Sequence, residues 1–198
     1  GKHVSYAWGD DPKHLVFSFS RYKFVSKMLE NYKDVLEIGA GDGFQSKIVS
    51  QVVKNLYLSD IDERNVEDFD KKNVFIKKYF CHDFTKKKYP KIFNAIYAID
   101  VFEHVNKNKE NIFIKNINSS LDTKGVLILG CPTLESQKFA SYGSKLGHVN
   151  CKTKPELKKF LKKYFNTVFM LSMNDEVIHT GFDQMSQYMF AICSHKKN

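Results

Sequence analysis

Residues 33–43 read KDVLEIGAGDG and decide the fold of this chain. An apolar run of strand length, interrupted by Glu37, ends in three glycines at alternate positions. Residues 44–54 follow with the pattern of a helix. Glycine has no Cβ and tolerates positive φ, so such a turn is tight and a ligand can approach its backbone closely. The helix start adds N–H groups that have no intrahelical partner.

The spacing of the glycines distinguishes between classes of cofactor. Dinucleotide-binding folds use G-x-G-x-x-G, whose last glycine lets the helix pack on the strand. Here Gly39, Gly41 and Gly43 are followed by the bulky Phe44, which fits that fingerprint poorly. Glu37, two residues before the first glycine, lies where a cationic amino group would be held. An ordinary strand-turn-helix without a ligand is the alternative, because glycine turns are common.

The same stretch resembles motif I of class I S-adenosyl-L-methionine-dependent methyltransferases, E/D-x-G-x-G-x-G, and the resemblance extends over nearly the whole chain. It implies S-adenosyl-L-methionine as the cofactor, bound by Glu37 and the turn residues Gly39, Ala40, Gly41 and Gly43. It also implies an α/β fold, with a Rossmann-like seven-stranded, mostly parallel sheet of order 3-2-1-4-5-7-6 and helices on both faces. We expect a single domain over residues 1–198, with an N-terminal helical lid at residues 1–30 and a substrate loop at residues 134–152.

Length and composition favour a globular protein. The 198 residues, 42% of them hydrophobic, suffice for a sizeable core. No apolar run reaches the length of a membrane span, and we see no leader peptide. The four cysteines are far apart and form no C-x-x-C pair, which favours a reduced, cytoplasmic setting.

The formal net charge of +9 permits a phosphate-bearing partner. The lysines are scattered along the chain, and Arg21 and Arg64 are its two arginines, so clusters of base-reading arginines are absent. A solvated, lysine-rich surface explains this charge most simply. We therefore expect a small-molecule acceptor and no nucleic-acid partner. The positive net charge is compatible with an anionic acceptor. The sequence does not determine the oligomeric state.

An acid follows the second predicted strand, residues 56–59. Asp60 lies where a carboxylate would grip the ribose hydroxyls, and the resemblance adds its neighbour Ile61 to the cofactor site. The acid alone would also suit an NAD site. The alternative for Asp60 or Asp62 is a helix N-cap, because residues 63–69 have the pattern of a short helix.

Asp83 and Phe84 come after a third predicted strand at residues 74–78. Asp83 and Phe84 match a position in the methyltransferase family that contacts adenine. There, an acid accepts a hydrogen bond from the adenine amino group, and the backbone N–H of the next residue donates to a ring nitrogen. The resemblance therefore assigns both residues to the cofactor. An Asx-type turn is the alternative for Asp83.

The fourth predicted strand, residues 93–99, is apolar enough to be central and buried. The residues after it read DVFEHV and resemble the D-V-L-E-H-V segment of small-molecule methyltransferases related to the ubiquinone- and menaquinone-methylating enzymes. No proline follows Asp100, unlike the N/D-P-P-Y/F motif of enzymes that methylate base amino groups. The resemblance places Asp100 at the reactive end of the cofactor. Glu103 and His104 either anchor this loop to the following helix or belong to the site, where His104 would contact the substrate.

Methyl transfer from a sulfonium requires positioning and, at an alcohol, removal of a proton. Histidine suits that base at neutral pH. His148 in the long polar segment and His179 before the last strand are the candidates, with Asp175 and Glu176 near His179 in sequence. The alternative for either histidine is a hydrogen-bonded loop residue. His, Asp and Glu also ligate metals, but no spacing here specifies a metal site, so none is predicted.

The remaining substrate candidates are Tyr6, Arg21 and Tyr22 of the predicted lid, for which plain packing is the alternative, and Asn150 of the predicted substrate loop. Residues 134–151 and 174–182 resemble bacterial class I methyltransferases associated with surface-polysaccharide synthesis. The resemblance implies an O-methyltransferase that acts on a hydroxyl of a sugar or sugar-phosphate-like precursor. The alternatives are an RNA methyltransferase, suggested by the basic pI, and a non-catalytic regulatory module that binds S-adenosyl-L-methionine or a nucleotide.

Overall fold

The computed structural model describes residue 5, residues 8–69 and residues 75–197. The chain forms two compact units, Gly1–Asp83 and Phe84–Asn198. No helix among the described residues is both long and apolar enough to cross a membrane. The predicted substrate residue Tyr6 lies outside the described residues. The single domain, the lid and the substrate loop stay predictions.

The described part of the first unit holds three parallel strands in the order β3-β2-β1. Its elements are α1 (Pro12–Met28), β1 (Asp34–Ile38), α2 (Ser46–Ser50), β2 (Asn55–Asp60), α3 (Glu63–Glu67) and β3 (Ile76–Cys81). Helix α1 begins where its sequence predicts, because the Asp11 side chain accepts from the His14 amide and Pro12 occupies the first turn.

Two elements of this unit differ from the prediction. Helix α2 is shorter than the predicted 44–54, and the chain after it turns so that the Lys54 amide donates to the Tyr32 carbonyl at 2.9 Å. Strand β3 was predicted at residues 74–78 but spans Ile76–Cys81. The strand continues because its ladder with β2 extends to the pair Asp60–Cys81, and ladder pairing outweighs the charge of the lysines in this stretch.

The second unit holds the remaining five strands, in the order β4-β5-β8-β6-β7. Strands β4 and β5 are parallel, and the pairs β5–β8, β8–β6 and β6–β7 are antiparallel. Its helices and strands are β4 (Phe93–Ile99), α4 (Glu110–Ser119), β5 (Leu121–Pro132), α5 (Tyr142–Gly147), α6 (Lys154–Leu161), β6 (Phe165–Asn174), β7 (Val177–His179) and β8 (Tyr188–Lys196). Three 3₁₀ turns lie at Phe102–His104, Glu135–Phe139 and Asp183–Met185.

The predicted Rossmann-like α/β class is confirmed, with eight strands among the described residues where seven were predicted. The order 3-2-1 holds in the first unit, and the order 4-5-7-6 holds in the second when β8 is taken as the seventh strand. The additional strand is β7, which pairs with the end of β6. It arises from residues 174–181, which the sequence predicts as an irregular polar insert.

Strand β5 contains an interruption that the sequence predicts as a turn at residues 122–125. The ladder with β4 jumps from the pair Phe93–Leu121 to the pair Ala95–Val126. Asp122 Oδ1 accepts from the Lys124 amide at 2.9 Å, as in an Asx turn. The turn therefore forms as a bulge within a longer strand.

The segment between β5 and β6 is more regular than its polar sequence predicts. Helix α5 forms inside it, and the Ser141 side chain caps that helix by accepting from the Ser144 amide. The pattern Thr153-x-x-Glu156 predicts a capping box and a helix that runs to about residue 165. Helix α6 begins with that capping box, in which Thr153 and Glu156 each accept from the other's backbone amide, but it ends earlier, at Leu161.

Candidate active site

The glycine turn after β1 has the backbone conformation that its sequence predicts. Gly39, Gly41 and Gly43 have φ values of 75°, 57° and 67°, which L-residues with a Cβ rarely adopt. A Cβ on Gly43 would lie 2.7 Å from Phe69 Cε2, whereas a Cβ on Gly41 would meet nothing within 4 Å. Gly43 is therefore required for packing inside the unit, whereas the space next to the Gly41 Cα is open.

The Asp60 carboxylate is fixed by two backbone amides. The Gly41 amide donates to its Oδ2 at 2.9 Å and the Asp62 amide donates to its Oδ1 at 2.8 Å. Asp60 is only 8% exposed. A carboxylate offers about four acceptor positions, so two remain for further donors such as vicinal hydroxyls. The N-cap alternative applies to Asp62, which caps α3 and whose pKa is lowered by its hydrogen bond with Arg64.

Tyr79 of β3 contacts the same turn. Its hydroxyl donates to the Gly41 carbonyl at 2.5 Å. Burial raises the pKa of the Tyr79 hydroxyl well above its ordinary value, so it stays a donor. Tyr79 is not among the predicted site residues, and its one signal in the sequence is that it is an aromatic residue next to the lysines of a predicted strand. Gly41 is thus held at its amide by Asp60 and at its carbonyl by Tyr79.

Glu37 lies at the end of β1 and is 1% exposed. The hydroxyl of Tyr22, on α1, donates to Glu37 Oε1 at 2.7 Å. The hydroxyl of Tyr22 thereby orients the acid of the glycine motif, and the predicted contact of Tyr22 with substrate stays a prediction. Arg21, its half-buried neighbour, stays a predicted substrate residue.

The other predicted cofactor residues of the first unit differ in exposure. Ala40 is buried, Asp83 is half-buried and Ile61 is 66% exposed. An apolar side chain that is exposed next to Asp60 suits contact with a ring system. The assignment of all three to the cofactor stays a prediction.

Asp100 follows β4 in the second unit with φ at +57°. Its amide donates to the Gly130 carbonyl at 3.0 Å, which helps to hold this conformation. Non-glycine residues held at positive φ cluster at functional sites. Phe84, predicted to meet the adenine, is 2% exposed, and its carbonyl accepts from Asn116 Nδ2 at 2.8 Å.

Glu103 and His104, which follow β4, lie next to His148, which follows α5. We call these three side chains the Glu103–His104–His148 cluster. Each offers one potential ligand atom, and these atoms all lie within 4.8 Å of one another. The rings of His104 and His148 are 5.1 Å apart in an edge-on arrangement. Both histidines are predicted site residues, but the sequence does not predict that they lie together, because 43 residues separate them.

His148 is the better placed of the two predicted bases. Its Nδ1 lies 2.7 Å from Gln137 Oε1. Burial lowers the pKa of His148, the neighbouring His104 lowers it further and Asp100 opposes both. A lowered pKa keeps this imidazole neutral at neutral pH, as a proton acceptor must be.

His179 has both ring nitrogens engaged. Its Nε2 lies 2.8 Å from Asn174 Oδ1, and its Nδ1 accepts from the Gly181 amide at 3.0 Å. Asp175 and Glu176 are exposed at the β6–β7 turn, where Asp175 has φ at +51°. The residue that orients His179 is therefore Asn174, and the contacts indicate a structural role in the hairpin. The catalytic role of His179 and the substrate roles of Asp175 and Glu176 stay predictions.

Asn150 connects the segment after α5 to the turn after β4. It is 1% exposed, and its amide donates to the Glu103 carbonyl at 2.9 Å. Its Nδ2 donates to Glu110 Oε2 at 3.0 Å, and Lys152 forms an ion pair with that same oxygen. Asn150 thereby fixes the chain next to His148, and its predicted contact with substrate stays a prediction.

A model of the family described as "Methyltransferase domain" matches residues 13–165 of this chain. No curated protein has a significant sequence match to this chain.

Several solved structures share the fold. The N-methyltransferase NodS from Bradyrhizobium japonicum WM9, in complex with S-adenosyl-L-homocysteine, has a TM-score of 0.67 at 16% identity, covering 96% of this chain and 91% of that one. The methyltransferase domain of bacterial-CtHen1-C has a TM-score of 0.70 at 16% identity, covering 90% and 98%. The CurJ carbon methyltransferase has a TM-score of 0.64 at 15% identity, covering 89% and 54%.

Proposed function

The chain belongs to the methyltransferase-domain family and uses S-adenosyl-L-methionine, and on that premise we propose that it methylates a hydroxyl of a small polar acceptor. The acceptor class we propose is a sugar or sugar-phosphate-like precursor of a surface polysaccharide. The relatives named above include an N- and a C-methyltransferase, so the family by itself leaves the accepting atom open.

The observation that supports an oxygen acceptor is the environment of His148. Gln137 Nε2 donates to the Thr133 carbonyl at 3.1 Å, which turns its Oε1 toward the imidazole. Since that oxygen can only accept, His148 donates from Nδ1 and keeps its lone pair on Nε2. A hydroxyl must lose its proton during methylation, and an oriented, neutral imidazole removes such a proton at neutral pH.

The reaction exchanges one bond at carbon for another. The acceptor oxygen forms a bond to the methyl carbon while the bond from sulfur to that carbon breaks, and its electron pair stays on sulfur. The leaving group becomes a neutral thioether, so no anion has to be stabilised there. The hydroxyl proton passes to His148 Nε2. The remaining work of the protein is to position the two reactants.

Most of the proposed contacts with the cofactor lie in the first unit. We assign the amino group of the cofactor to the Glu37 carboxylate and its ribose hydroxyls to Asp60, whose orientation is set by the Gly41 and Asp62 amides. Gly41 gives the cofactor a close approach to backbone, because no Cβ occupies the open space next to it. Asp83, Phe84 and Asp100 complete the predicted cofactor set.

An anionic acceptor agrees with the charge of the protein. The chain carries nine more basic than acidic side chains. Lys145, on α5, is exposed near His148 in sequence, and Arg21 is half-buried on α1. We propose that Lys145 attracts a phosphate of the acceptor, and Arg21 stays a predicted substrate residue.

The test is a methyl-transfer assay in which sugars, sugar phosphates and their amino-sugar analogues are supplied as acceptors. The assay measures the S-adenosyl-L-homocysteine that is released. We expect turnover with a hydroxyl acceptor and an O-methyl signal in the product. His148→Gln should lower kcat by about 10²–10⁴-fold with unchanged affinity for the cofactor. His179→Gln is the matched control and should retain most of the wild-type rate. Equal rates for the two variants contradict the proposed role of His148.

Two other results would replace the proposal. Transfer to the amino-sugar analogue alone would make the protein an N-methyltransferase. Tight cofactor binding without turnover on any acceptor would favour the non-catalytic regulatory module. RNA as the acceptor predicts binding that weakens steeply with added salt, whereas a small-molecule enzyme predicts weak RNA binding.

A further inference from the structure

The Glu103–His104–His148 cluster brings together residues from two separate segments of the second unit. Glu103 and His104 lie on the 3₁₀ turn after β4, and His148 is the residue at which α5 ends. The two segments are joined by hydrogen bonds: the Asn150 amide donates to the Glu103 carbonyl, and His104 Nδ1 lies 2.9 Å from the Gly147 carbonyl. The cluster is therefore held by backbone contacts on both sides.

The hydrogen bonds fix the same tautomer in both histidines. The Gly147 carbonyl can only accept, so His104 donates from Nδ1 and keeps its lone pair on Nε2, which lies 4.0 Å from Glu103 Oε1. His148 donates from Nδ1 to Gln137 Oε1 and likewise keeps its lone pair on Nε2. Imidazoles that ligate metals show this arrangement, in which the other ring nitrogen donates to a carbonyl or a similar oxygen.

The close approach of the two segments depends on Gly147. A Cβ at this position would lie 3.3 Å from His104 Cε1 and from Nδ1. A larger residue would therefore push the imidazole away from the carbonyl that orients it. The second unit thus holds two oriented imidazoles next to a carboxylate that is 1% exposed.

These distances suit a small divalent ion after a modest closure. Bonds of about 2.0–2.2 Å to nitrogen and oxygen place neighbouring ligands of a tetrahedral ion roughly 3.4 Å apart. The ligand atoms of the cluster lie within 4.8 Å of one another. Side-chain rotations that shorten the widest separation by roughly 1.4 Å would complete the site.

We propose that Glu103, His104 and His148 bind one divalent transition-metal ion, with Zn²⁺ as the reference ion, and that its open position takes the oxygen of the acceptor. Two imidazoles with one carboxylate form a ligand set that catalytic zinc sites use, and imidazole ligands disfavour Mg²⁺ and Ca²⁺. The role of the ion in methyl transfer rests on the function proposed above.

With the ion bound, His148 acts as a ligand, and the ion takes over the activation of the hydroxyl. Coordination lowers the pKa of the acceptor hydroxyl, and its proton leaves to solvent water. The electron pair of that oxygen then forms the bond to the methyl carbon, while the sulfur keeps the pair of the broken bond. Glu103 and His104 would thus contribute to catalysis through the ion.

The direct test is calorimetry of the full chain, freed of metal by a chelator that is then removed, titrated with Zn²⁺ and, separately, with Co²⁺. We expect one ion per chain and a visible absorption band from Co²⁺. His148→Gln, His104→Gln and Glu103→Gln should each raise the Kd at least tenfold. Gln137→Leu, which removes the oxygen that accepts from His148 together with the bond from Gln137 to the Thr133 carbonyl, should raise it about 10–100-fold. His179→Gln is the matched control and should bind as the wild type does.

Circular dichroism and thermal unfolding of each variant establish that it is folded; the exposed His104 is the variant whose folding is least at risk. Absence of binding by the wild type at millimolar ion, or equal Kd values for His148→Gln and His179→Gln, would overturn the metal site. Ion binding is measured without cofactor or acceptor, so it can succeed where O-methylation fails. Conversely, O-methylation that a chelator leaves unchanged keeps the proposed function and removes the metal.

Discussion

The amide of Gly41 donates a hydrogen bond to the carboxylate of Asp60 at 2.9 Å. This contact joins the glycine turn after β1 to the acid at the end of β2, which are the two features that the sequence predicts for a cofactor. Because the Asp62 amide orients the other carboxylate oxygen, the acid is held in one position before any ligand arrives. Such preorganisation reduces the entropy that binding would otherwise cost.

Asp60→Asn should weaken the binding of S-adenosyl-L-homocysteine by about 10–100-fold, because the amide loses one acceptor oxygen for the ribose. Asp62→Asn is the matched control. Asparagine is as good an N-cap as aspartate, so that variant should bind as the wild type does. Isothermal titration calorimetry compares the three proteins. Equal affinities for the two variants would show that Asp60 does not contact the cofactor.

Gly41→Ala and Gly43→Ala should separate binding from stability. Both place a Cβ on a residue with positive φ, which costs about 1–2 kcal/mol of unfolding free energy. Gly43→Ala adds a collision with Phe69 and Leu58, worth about 1–3 kcal/mol. Gly41→Ala instead projects into the open space next to the turn, so it should lose cofactor affinity. Urea unfolding and calorimetry measure the two effects, and a greater loss of stability in Gly41→Ala would contradict the prediction.

The capping box of α6 predicts a dependence of stability on pH. The hydrogen bond from the Thr153 backbone, followed by that of its side chain, lowers the pKa of Glu156. A depressed folded-state pKa stabilises the protein above the unfolded-state pKa, and this contribution is lost as the pH falls through the folded-state value. Urea unfolding of wild type and Glu156→Gln between pH 3 and pH 7 measures it. Glutamine keeps a capping side chain but does not titrate, so the difference between the two proteins should change only in the acidic range.

The four cysteines should differ in reactivity, because only the thiolate reacts. Cys81 is exposed, whereas burial raises the pKa of Cys131, Cys193 and Cys151, the last to about 11. At neutral pH, a chromogenic disulfide reagent should label one thiol of the folded chain quickly and the other three only after unfolding. Cys81→Ser should abolish the fast phase. A fast phase of two or more thiols in the folded protein would be inconsistent with this burial.

The sequence predicts much of the fold because, at most elements, the local sequence pattern and the pairing between strands favour the same structure. The strands β1, β2 and β4, the N-terminal helix and the capping box of α6 form where their patterns place them. Two of the errors lie in strands: β3 extends through its pairing with β2, and β7 forms from a polar segment because β6 offers it a partner. In both places the deciding interaction comes from another strand, which local propensity does not contain.

The candidate site shows the same division. The glycine motif and Asp60 are visible in the sequence, because a tight turn needs glycine and the acid follows a strand at a fixed point. The roles of Tyr79, Gln137 and Asn174 cannot be predicted from the sequence. Their hydrogen-bond partners are Gly41, His148 and His179, and no sequence pattern links the members of these pairs.

The sequence by itself therefore determined the class of fold, the conformation of the glycine turn and the acids expected to contact the cofactor. Only the tertiary structure decided that His148 meets His104 and Glu103, while His179 has both nitrogens occupied within its hairpin. The physical reason is range. Backbone conformation and capping are set by neighbours in the chain, whereas the tautomer, pKa and reach of a histidine are set by groups that folding brings next to it.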